Sequence, residues 1–440
     1  MPRPLEPWRP WPRRQGRPQR SRLRDGEERP LGAMPAFELL DPQVVDDPYP
    51  FYAHLLEHSP LYEVPGTDVR LVARGDLIEE VLARHEEFSS NLTGVIVTGP
   101  TGAPEVFDMT RFGGAVDAIA NADEPSHGLH RSLLLPYVTP RAVASLEEEL
   151  RSWTVELIEP WLEAGGGDWI DAVANPLPTR AMARAVGLPL EDADRLLVWA
   201  MRGTEILAGT TTLERMGEVG AATAELVAYL GKQLQGALAA CDTEPAADMI
   251  GSLARAVREG ALAERDAVSI LVVLAGAGGE STSSMTGNAA RILAEQEALQ
   301  EQLRADPSLI PAFVEEVVRT ETPFRGHYRA VKRETQLAGE TLPAGSHLLL
   351  LWAAANRDPE VFPRPERIDL QRPNLRAHLG FGKGLHFCAG ARLARLEGRV
   401  ILEELLGRTR SLRLDERRPP EYVPSIFVRR HAHLDLRTES

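Results

Sequence analysis

The sequence contains very little cysteine. Its 440 residues include only Cys241 and Cys388, which lie far apart in the chain. Two isolated cysteines cannot make a Cys-x-x-Cys zinc site, and nothing in the pattern indicates a disulfide. Free thiols are typical of a reducing compartment. We therefore expect a cytoplasmic protein in which any special role for a thiol falls on a single residue.

Long apolar runs and an excess of positive charge are also missing. The longest apolar stretch, at residues 270–277, is far shorter than the roughly 20 residues that a membrane-spanning helix needs. The formal net charge is −15, which argues against a nucleic-acid binder. With 43% hydrophobic and 26% charged residues, the composition is that of an ordinary soluble globular protein. We expect neither a nucleic-acid partner nor a membrane.

Residues 1–33 differ from the rest of the chain because they are rich in proline and arginine and have almost no apolar periodicity. Such a segment cannot bury enough apolar surface to offset its ordering entropy, so we expect a disordered tail. Arg13-Arg14 lacks the apolar region that follows a twin-arginine export signal. The alternatives are upstream sequence ahead of a natural start at Met34, or a segment that contacts nucleic acid or a membrane surface. Residues 34–440 are expected to form one domain.

Beyond residue 48, helical patterns predominate and shorter strand patterns occur towards both ends. Helical periodicity dominates residues 125–304. The predicted fold class is therefore mainly α with a minor β portion. The Gly/Thr-rich segment 90–120 is predicted to be a long irregular loop of a kind that is usually functional. Helices are predicted at Tyr49–His58, Asp76–Arg84, Asp266–Leu293 and roughly Ala389–Leu406, and strands at Leu61–Val64, Val69–Ala73, Tyr328–Val331, His347–Leu350, Ser411–Leu414 and Ile426–Arg430.

Residues 381–390 read Phe-Gly-Lys-Gly-Leu-His-Phe-Cys-Ala-Gly and place Cys388 in a loop that runs directly into a predicted helix. Gly382, Gly384 and Gly390 let the backbone bend tightly and approach a flat, bulky group. The positive N-terminal end of the helix points at the sulfur and favours thiolate over thiol. A thiolate held in this way is a good axial ligand for haem iron. The alternative is an inert buried cysteine beside a helix.

The pattern F-G-x-G-x-H-x-C-x-G resembles the haem-binding loop of the cytochrome P-450 family, and the resemblance extends from about Asp47 to the C-terminus. It implies the helical prism fold of that family and haem b with Cys388 as the iron ligand. It also implies a monooxygenase that uses dioxygen on a mainly apolar small organic substrate. Phe381 is expected to pack against the sulfur and exclude water. The similarity is strongest to actinobacterial members, through residues 323–329 and 278–281.

A second motif lies in the predicted helix Asp266–Leu293, where residues 276–279 include three glycines. Glycine weakens a helix but permits close approach and local unwinding. The run that contains them is similar to the A-G-x-E/D-T motif of the family. The resemblance implies that Ala277 and Gly278 lie over the haem face. The alternative is a helix that simply ends in glycine and serine.

An acid and two hydroxyls follow these glycines. Glu280 and Ser281 place a carboxylate beside a hydroxyl, a combination that can relay the protons that oxygen activation consumes. The resemblance assigns them this catalytic role, with Ser281 where the family usually has threonine. Thr282 is the neighbouring hydroxyl that could substitute for Ser281.

Glu316 and Arg319 form an E-x-x-R pair one helical turn apart, which is close enough for an ion pair. Such a pair is common on solvated helix faces and carries little weight alone. A Pro-rich segment at residues 363–367 follows at the distance that the family shows. The resemblance therefore implies a buried structural network of Glu316 and Arg319, with Arg367 as the third member.

A haem carries two propionates and so needs cations or hydrogen-bond donors around it. His127 and Arg131 lie four residues apart on one face of a predicted helix. The resemblance assigns both of them, together with Arg329 and His386, to the propionates. For His127 taken alone, an ordinary structural histidine is the simpler interpretation.

The substrate pocket is assigned by resemblance to several segments, of which Val273, Phe324 and Ile426 are the apolar candidates. Arg325 and His327 are unusual polar residues in such a place. They raise the hypothesis of a substrate that carries a carboxylate or phosphate. The alternative is that they face a haem propionate or pair with acidic residues of the protein.

Electrons must come from another protein, because the sequence has no Gly-rich flavin or nucleotide motif and no Cys-rich cluster motif. Lys383, Arg392, Arg395 and Arg399 surround the Cys388 loop and predict a cationic surface. This surface suits an acidic ferredoxin or flavodoxin with its reductase. Exposed arginines on an ordinary helix are the alternative.

Two other functions remain compatible with the motifs. A peroxygenase would use hydrogen peroxide, but the relatives of that type lack the acid–hydroxyl pair that Glu280 and Ser281 provide. A haem-binding sensor or carrier would bind ligands without turnover.

Overall fold

The computed structural model describes residues 38–112, 117–241 and 246–439, so the predicted tail at residues 1–33 lies outside the described residues. Helices make up most of the described chain. They are α1 (Pro42–Asp46), α2 (Tyr49–His58), α3 (Gly75–Ala83), α4 (Ser126–Leu134), α5 (Pro140–Ala144), α6 (Glu147–Glu163), α7 (Pro176–Val186), α8 (Ala193–Thr204), α9 (Leu213–Ala240), α10 (Met249–Arg258), α11 (Glu264–Glu295), α12 (Glu297–Ala305), α13 (Ile310–Thr320), α14 (Trp352–Ala355) and α15 (Ala391–Arg408).

The strands form a minor part, which confirms the predicted fold class. The largest sheet has the order β1-β2-β10-β7-β3, in which β2 and β10 run parallel and the other neighbours antiparallel. The strands are β1 (Leu61–Glu63), β2 (Val69–Val72), β3 (Phe88–Ser89), β4 (Gly94–Thr98), β5 (Pro104–Asp108), β6 (Gly166–Asp168), β7 (His327–Val331), β8 (Thr335–Leu337), β9 (Glu340–Leu342), β10 (His347–Leu350), β11 (Ser411–Leu414), β12 (Glu421–Tyr422), β13 (His431–His433) and β14 (Asp435–Glu439).

Two of the predicted segments differ from the structure. Residues 90–120 are not an irregular loop throughout, because β4 and β5 pair there as an antiparallel hairpin. Three consecutive β-branched residues, Val95, Ile96 and Val97, favour a strand more strongly than the surrounding glycine and threonine favour a loop. The predicted strand Ile426–Arg430 is wrong as well. It is reduced to a single bridge between Val428 and Phe324, and the arginines at its end turn into the protein to form ion pairs.

Helix α11 runs through the middle of the protein and joins its two largest apolar cores. Its C-terminal half contributes Ala289 and Leu293 to one core, and its N-terminal half contributes Ala267 and Ile270 to the other. By length and composition alone α11 could cross a membrane, but half of its apolar window is buried inside the protein. Its apolar character is therefore accounted for by core packing.

The glycines of α11 serve helix–helix packing. A Cβ atom at Gly278 would lie 2.8 Å from Cγ of Met182, and one at Gly279 would lie 3.2 Å from Oγ1 of Thr179, both on α7. The helix is continuous from Glu264 to Glu295, so the local unwinding that glycine permits is not present. The close crossing of α7 and α11 is the reason that small residues are needed here.

The E-x-x-R pair is fully buried and holds the segment before the Cys388 loop. Arg319 donates from Nε to Oε1 of Glu316 at 2.6 Å and from Nη2 to Oε2 at 2.9 Å. The third side chain is Arg372, whose Nε donates to Oε1 of Glu316 at 3.1 Å. The prediction that the side chain of Arg367 is the third member of this network is wrong. Only its backbone carbonyl takes part, as an acceptor from Arg319. Its guanidinium faces outward and lies 3.6 Å from the carboxylate of Glu366.

Candidate functional site

The loop before α15 has tight turns at two of its three glycines. Gly382 and Gly384 have φ angles of +67° and +72°, in the left-handed region that favours glycine. Gly390 has an ordinary φ of −80°, so its backbone conformation does not itself require glycine. The N–H of Cys388 donates to the carbonyl of Phe381 at 2.9 Å. This bond closes the loop and holds the cysteine at the start of α15.

The sulfur of Cys388 receives backbone donors from the first residues of the helix. The N–H groups of Gly390 and Ala391 hydrogen-bond to it and lower its pKa, as the helix-terminus argument predicts. Burial is the larger effect, however, and the pKa of the Cys388 thiol is raised above its ordinary value. The helix alone therefore does not make a thiolate, whereas a coordinated metal cation deprotonates a thiol outright.

The surroundings of this cysteine fit a flat apolar ligand. The Cys388 side chain is exposed, yet the surrounding protein is dense enough to desolvate its thiol. Both observations are expected for a side chain that faces an internal recess. Leu385 and Phe387 beside it are 44% and 42% exposed. On α11, Ala277 is also exposed, and its neighbours Gly276 and Gly278 are half-buried. A sulfur ligand bordered by accessible apolar side chains meets the needs of a haem.

A buried carboxylate that the sequence analysis missed supports this loop. Glu315 accepts a hydrogen bond from Nε2 of His378 at 2.8 Å and pairs with Arg395. The Arg395 guanidinium in turn lies 4.3 Å from the centre of the Phe381 ring. Glu315 thereby fixes both the residue that precedes the loop and the arginine that covers it. Phe381 itself is half-buried and contacts Arg395 and His378.

The two histidines predicted to contact propionates lie side by side. The ring centres of His127 and His386 are 4.1 Å apart. Nδ1 of His127 lies 2.9 Å from Oε1 of Glu124, and Nε2 of His386 lies 2.9 Å from Oγ of Ser90. The Nδ1 atom of His386 is buried without a partner. Burial, reinforced by nearby Arg329, lowers the pKa of His386 to about 3.

The two predicted arginines complete this cluster. Arg131 donates to the carbonyl of Phe387 at 2.9 Å, beside the cysteine. Arg329 is buried and donates to the carbonyl of Tyr328 at 2.7 Å, with Nδ1 of His327 at 3.3 Å. Burial lowers the pKa of Arg329 to about 10, and no carboxylate of the described residues lies within ion-pair distance of it. Such a cluster of donors fits a ligand that carries anionic groups.

On α11, Glu280 is buried and pairs with an arginine that the sequence analysis did not single out. Nε of Arg430 donates to Oε1 of Glu280 at 3.0 Å, while Oε2 has no partner among the described residues. Burial raises the pKa of Glu280 and Arg430 partly offsets it, so this carboxyl holds a proton to higher pH than usual. Oγ of Ser281 donates to the carbonyl of Ala277 at 2.8 Å. Thr282 is buried.

The predicted pocket residues fall into different places. Phe324 stacks on Phe427 with ring centres 4.8 Å apart, and Ile426 packs into a core near the N-terminal helices. Val273 lies on α11 against the α8–α9 core. Arg325 is only 1% exposed. These residues therefore do not all line one open cavity in the described structure.

The predicted cationic surface is largely neutralised by acids. Arg399 pairs with Glu147 at 2.6 Å, and Lys383 pairs with Glu79 at 2.6 Å. Arg395 is engaged by Glu315. Of the four predicted cations, Arg392 is the one for which the described residues provide no ion pair. The surface is a mosaic of both signs, which the sequence could not reveal because the acids come from distant elements.

A lone cysteine at the start of a helix, with paired histidines and arginines beside it and a buried acid on the central helix, defines a haem-thiolate protein. The comparisons with known proteins agree. Residues 260–432 match the family model described as Cytochrome P-450.

Individual relatives match over nearly the whole chain. The chain is 39% identical to cytochrome P-450 144 of Mycobacterium tuberculosis, over 89% of either protein. It is 31% identical to 6-deoxyerythronolide B hydroxylase of Saccharopolyspora erythraea, over 89% of this chain and 96% of the relative. A Bacillus megaterium protein crystallised with testosterone superimposes with a TM-score of 0.80 at 27% identity, over 91% of this chain and 100% of the other.

The chain belongs to the cytochrome P-450 family. It is an oxidoreductase of the monooxygenase type, has the helical prism fold and, as in that family, binds haem b through a cysteine thiolate. The predicted family, fold and cofactor are thus confirmed.

The residues that the sequence analysis missed are ion-pair partners of the predicted residues and do not belong to any of the motifs. Arg372 and Arg430 each complete a buried charge pair, and Glu315 a partly buried one, with a residue that was predicted. Arg372 lies five residues beyond Arg367 in the same Pro-rich region. The sequence therefore indicated the right segment, but nothing in it indicated which arginine of that segment joins the network. For Arg430, the signal was the unusual Arg-Arg pair inside an apolar C-terminal segment.

Proposed function

We propose that this protein inserts one oxygen atom of dioxygen into a mainly apolar small organic substrate, with electrons from a ferredoxin or flavodoxin and its reductase. Residues 34–440 act as a single domain. The observation that carries the proposal is that the chain combines the Cys388 loop at the start of α15 with a buried acid, Glu280, and a half-buried hydroxyl, Ser281, on the helix that crosses the core. Haem b held by a thiolate supplies the dioxygen and one-electron chemistry.

In this proposal Cys388 is the iron ligand, and the loop around it is its support. Gly382 and Gly384 provide the turns, and Phe381 provides the carbonyl that fixes the cysteine backbone. Apolar Leu385 and Phe387 keep water from the ligand side. A dry, shaped site of this kind controls redox potential and limits side reactions.

The propionates are bound by the donor cluster of His127, Arg131, Arg329 and His386. The argument is electrostatic, since Arg329 is buried and no described carboxylate pairs with it, while Nδ1 of His386 is buried without a partner. Two propionates satisfy these donors and offset the charge. Ser90 and Glu124 orient the histidine rings.

Proton delivery falls to Glu280 and Ser281. Glu280 keeps one carboxylate oxygen unpartnered while Arg430 holds the other, so the acid is oriented and retains an atom free to donate. The hydroxyl of Ser281, now bonded to the carbonyl of Ala277, can rotate to accept and pass on the proton. Arg430 is a positioning residue.

We further propose a cytoplasmic location and an acidic redox partner that docks around Arg392. The free cysteines are consistent with a reducing compartment. Arg392 lies in the first turn of α15, four residues after Cys388, and it provides a cation close to the ligand. A partner with acidic side chains complements it.

The decisive experiment is turnover with a surrogate ferredoxin and its reductase, isotopically labelled dioxygen and a panel of apolar compounds. We expect one labelled oxygen atom in the product and consumption of reducing equivalents that depends on substrate. Ligand-linked spectral changes without any product would instead indicate a sensor or carrier. Product from peroxide alone, with none from dioxygen and electrons, would indicate a peroxygenase.

Replacing Glu280 with Gln is expected to lower product formation by about 100-fold, because removing a positioned general acid typically costs at least this factor. Haem binding and substrate binding should be unchanged, and electrons should be diverted to peroxide or water. Product and consumed reducing equivalents are measured together. Glu264→Gln, at the exposed start of the same helix, is the matched control and should behave as the original protein; equal loss in both variants would reject the relay.

A further inference from the structure

An open groove of about 350 Å³ lies between α5, α13 and α15. Three buried apolar side chains, those of Val143, Val314 and Leu396, belong to its lining, and Ala144 lies at its exposed edge. Sites for small molecules are concave and mostly apolar, with volumes of about 300–1,000 Å³ and a few polar groups that orient the ligand. The groove has the size and the walls of such a site.

The groove is also lined by four arginines and two glutamates. Arg395 pairs with Glu315, and Arg399 pairs with Glu147 at 2.6 Å. Each of these two pairs places a cation and an anion at the same wall. They therefore leave the charge of the other two arginines uncompensated.

The two remaining arginines, Arg376 and Arg392, are exposed. The described residues provide neither an ion pair nor a side-chain hydrogen bond for either guanidinium. Arg376 lies in the short turn Leu375–Ala377 before the Cys388 loop, and Arg392 lies in the first turn of α15. Guanidinium groups beside apolar walls complement an anionic group attached to an apolar body.

The ion pair between Arg395 and Glu315 connects the groove to the loop that holds the cysteine. The Arg395 guanidinium lies 4.3 Å from the centre of the Phe381 ring, and Glu315 accepts a hydrogen bond from His378. The carbonyl of Phe381 in turn accepts the N–H of Cys388. A negative charge bound beside Arg395 competes with Glu315 for this guanidinium and so acts on the support of the loop.

We propose that this groove is a second small-molecule site, distinct from the substrate pocket, that binds an organic anion with an apolar body. Arg376 and Arg392 bind the anionic group, while the buried apolar side chains contact the body of the ligand. The binding site itself does not depend on the proposed monooxygenase function. One consequence rests on that function: because Arg392 is also the proposed contact of the redox partner, an anion bound here competes with electron supply.

The test is a fluorescence titration of the haem-loaded full chain with two probes that share one aromatic body. 8-Anilinonaphthalene-1-sulfonate is anionic, and N-phenyl-1-naphthylamine is neutral. Binding to the groove is the part that disappears in Ala144→Trp, which places an indole ring in the groove. Ala224→Trp, on the exposed face of α9 and outside the groove, is the matched control and should bind both probes as the original protein does.

We expect Ala144→Trp to remove a site that binds the anionic probe about fivefold or more tightly than the neutral probe, because two ion pairs distinguish the probes. Binding of the anionic probe that Ala144→Trp leaves unchanged would overturn the inference. An equal loss of binding in Ala224→Trp would also overturn it, since the effect would then not belong to the groove.

Arg376→Gln combined with Arg392→Gln locates the charge. Both side chains are exposed, so the double variant should fold as the original protein does. The anionic probe should bind to the groove about fivefold more weakly because both ion pairs are lost, while the affinity of the neutral probe stays the same. Added salt should weaken only the anionic probe, since exposed charges are screened. An equal change for both probes, or no change, would contradict the role of the two guanidinium groups.

The consequence for electron supply is measured separately, with a surrogate ferredoxin and its reductase. The anionic probe, at a concentration that fills the groove, should raise the ferredoxin concentration for half-maximal turnover by about threefold or more and leave reduction by dithionite unchanged. Probe binding without this rise would reject the competition at Arg392. If neither probe binds and Ala144→Trp alone causes the rise, the groove accepts a side chain of the partner and the inference is overturned. Lack of turnover without any probe would count against the proposed function alone.

Discussion

Cys388→Ser protein, reduced and treated with carbon monoxide, lacks the red-shifted Soret band that the original protein shows. Serine keeps the size and the backbone of the loop, including the bond from residue 388 to the Phe381 carbonyl. It replaces the thiolate that donates electron density to haem iron with a hydroxyl, which is a far weaker ligand. Absorption spectroscopy of the purified variant, with haem supplied during expression, measures the loss.

Cys241→Ser is the matched control. This second cysteine is half-buried at the end of α9, and its replacement should leave the spectrum and the haem content as they are. A red-shifted band that survives in the Cys388→Ser variant would contradict the assignment of the ligand. Loss of the band in both variants would point to a general effect on folding instead.

Glu316→Gln is expected to destabilise the protein by about 3–5 kcal/mol, the range observed when one partner of a buried ion pair is removed. The carboxylate accepts hydrogen bonds from Arg319, Arg372 and the backbone N–H of Asp369. A neutral amide leaves two buried guanidinium groups uncompensated. Urea unfolding followed by circular dichroism and by haem release measures the change.

Two further variants separate the observed network from the predicted one. Arg372→Ala should cost several kcal/mol, since Arg372 is buried and bonded to Glu316. Arg367→Ala should cost about 0–1 kcal/mol, since its side chain is largely exposed and forms only a surface pair. Equal costs in the two variants would show that the network does not depend on the side chain at position 372.

The parts of the site that could be predicted from the sequence are those whose residues lie close together in the chain. The Cys388 loop, the Glu280–Ser281 pair and the Glu316–Arg319 pair are each contained within ten residues, and local spacing alone brings their groups together. The elements themselves followed the same rule, because α2 and β10 coincide with their predicted boundaries. Periodicity and turn chemistry act over the same short range.

The parts that could not be predicted depend on contacts between distant segments. The choice of Arg372 over Arg367, the pairing of Arg430 with Glu280 across 150 residues, and the acids that cover the predicted cationic surface all arise only when helices and strands pack. Gly278 and Gly279 of α11 belong here too, because the side chains that they accommodate, Met182 and Thr179, come from another helix. A charge in the sequence has no partner until the fold supplies one.

The sequence by itself determined the class of this protein, since a ten-residue loop with one cysteine indicated an iron ligand and, through its resemblance, a family and a fold. Only the tertiary structure decided which charges are neutralised and which remain unpaired inside the protein. The physical reason is range: hydrophobic periodicity and backbone turns are set by neighbours along the chain, whereas the cost of a buried charge depends on what lies around it in space.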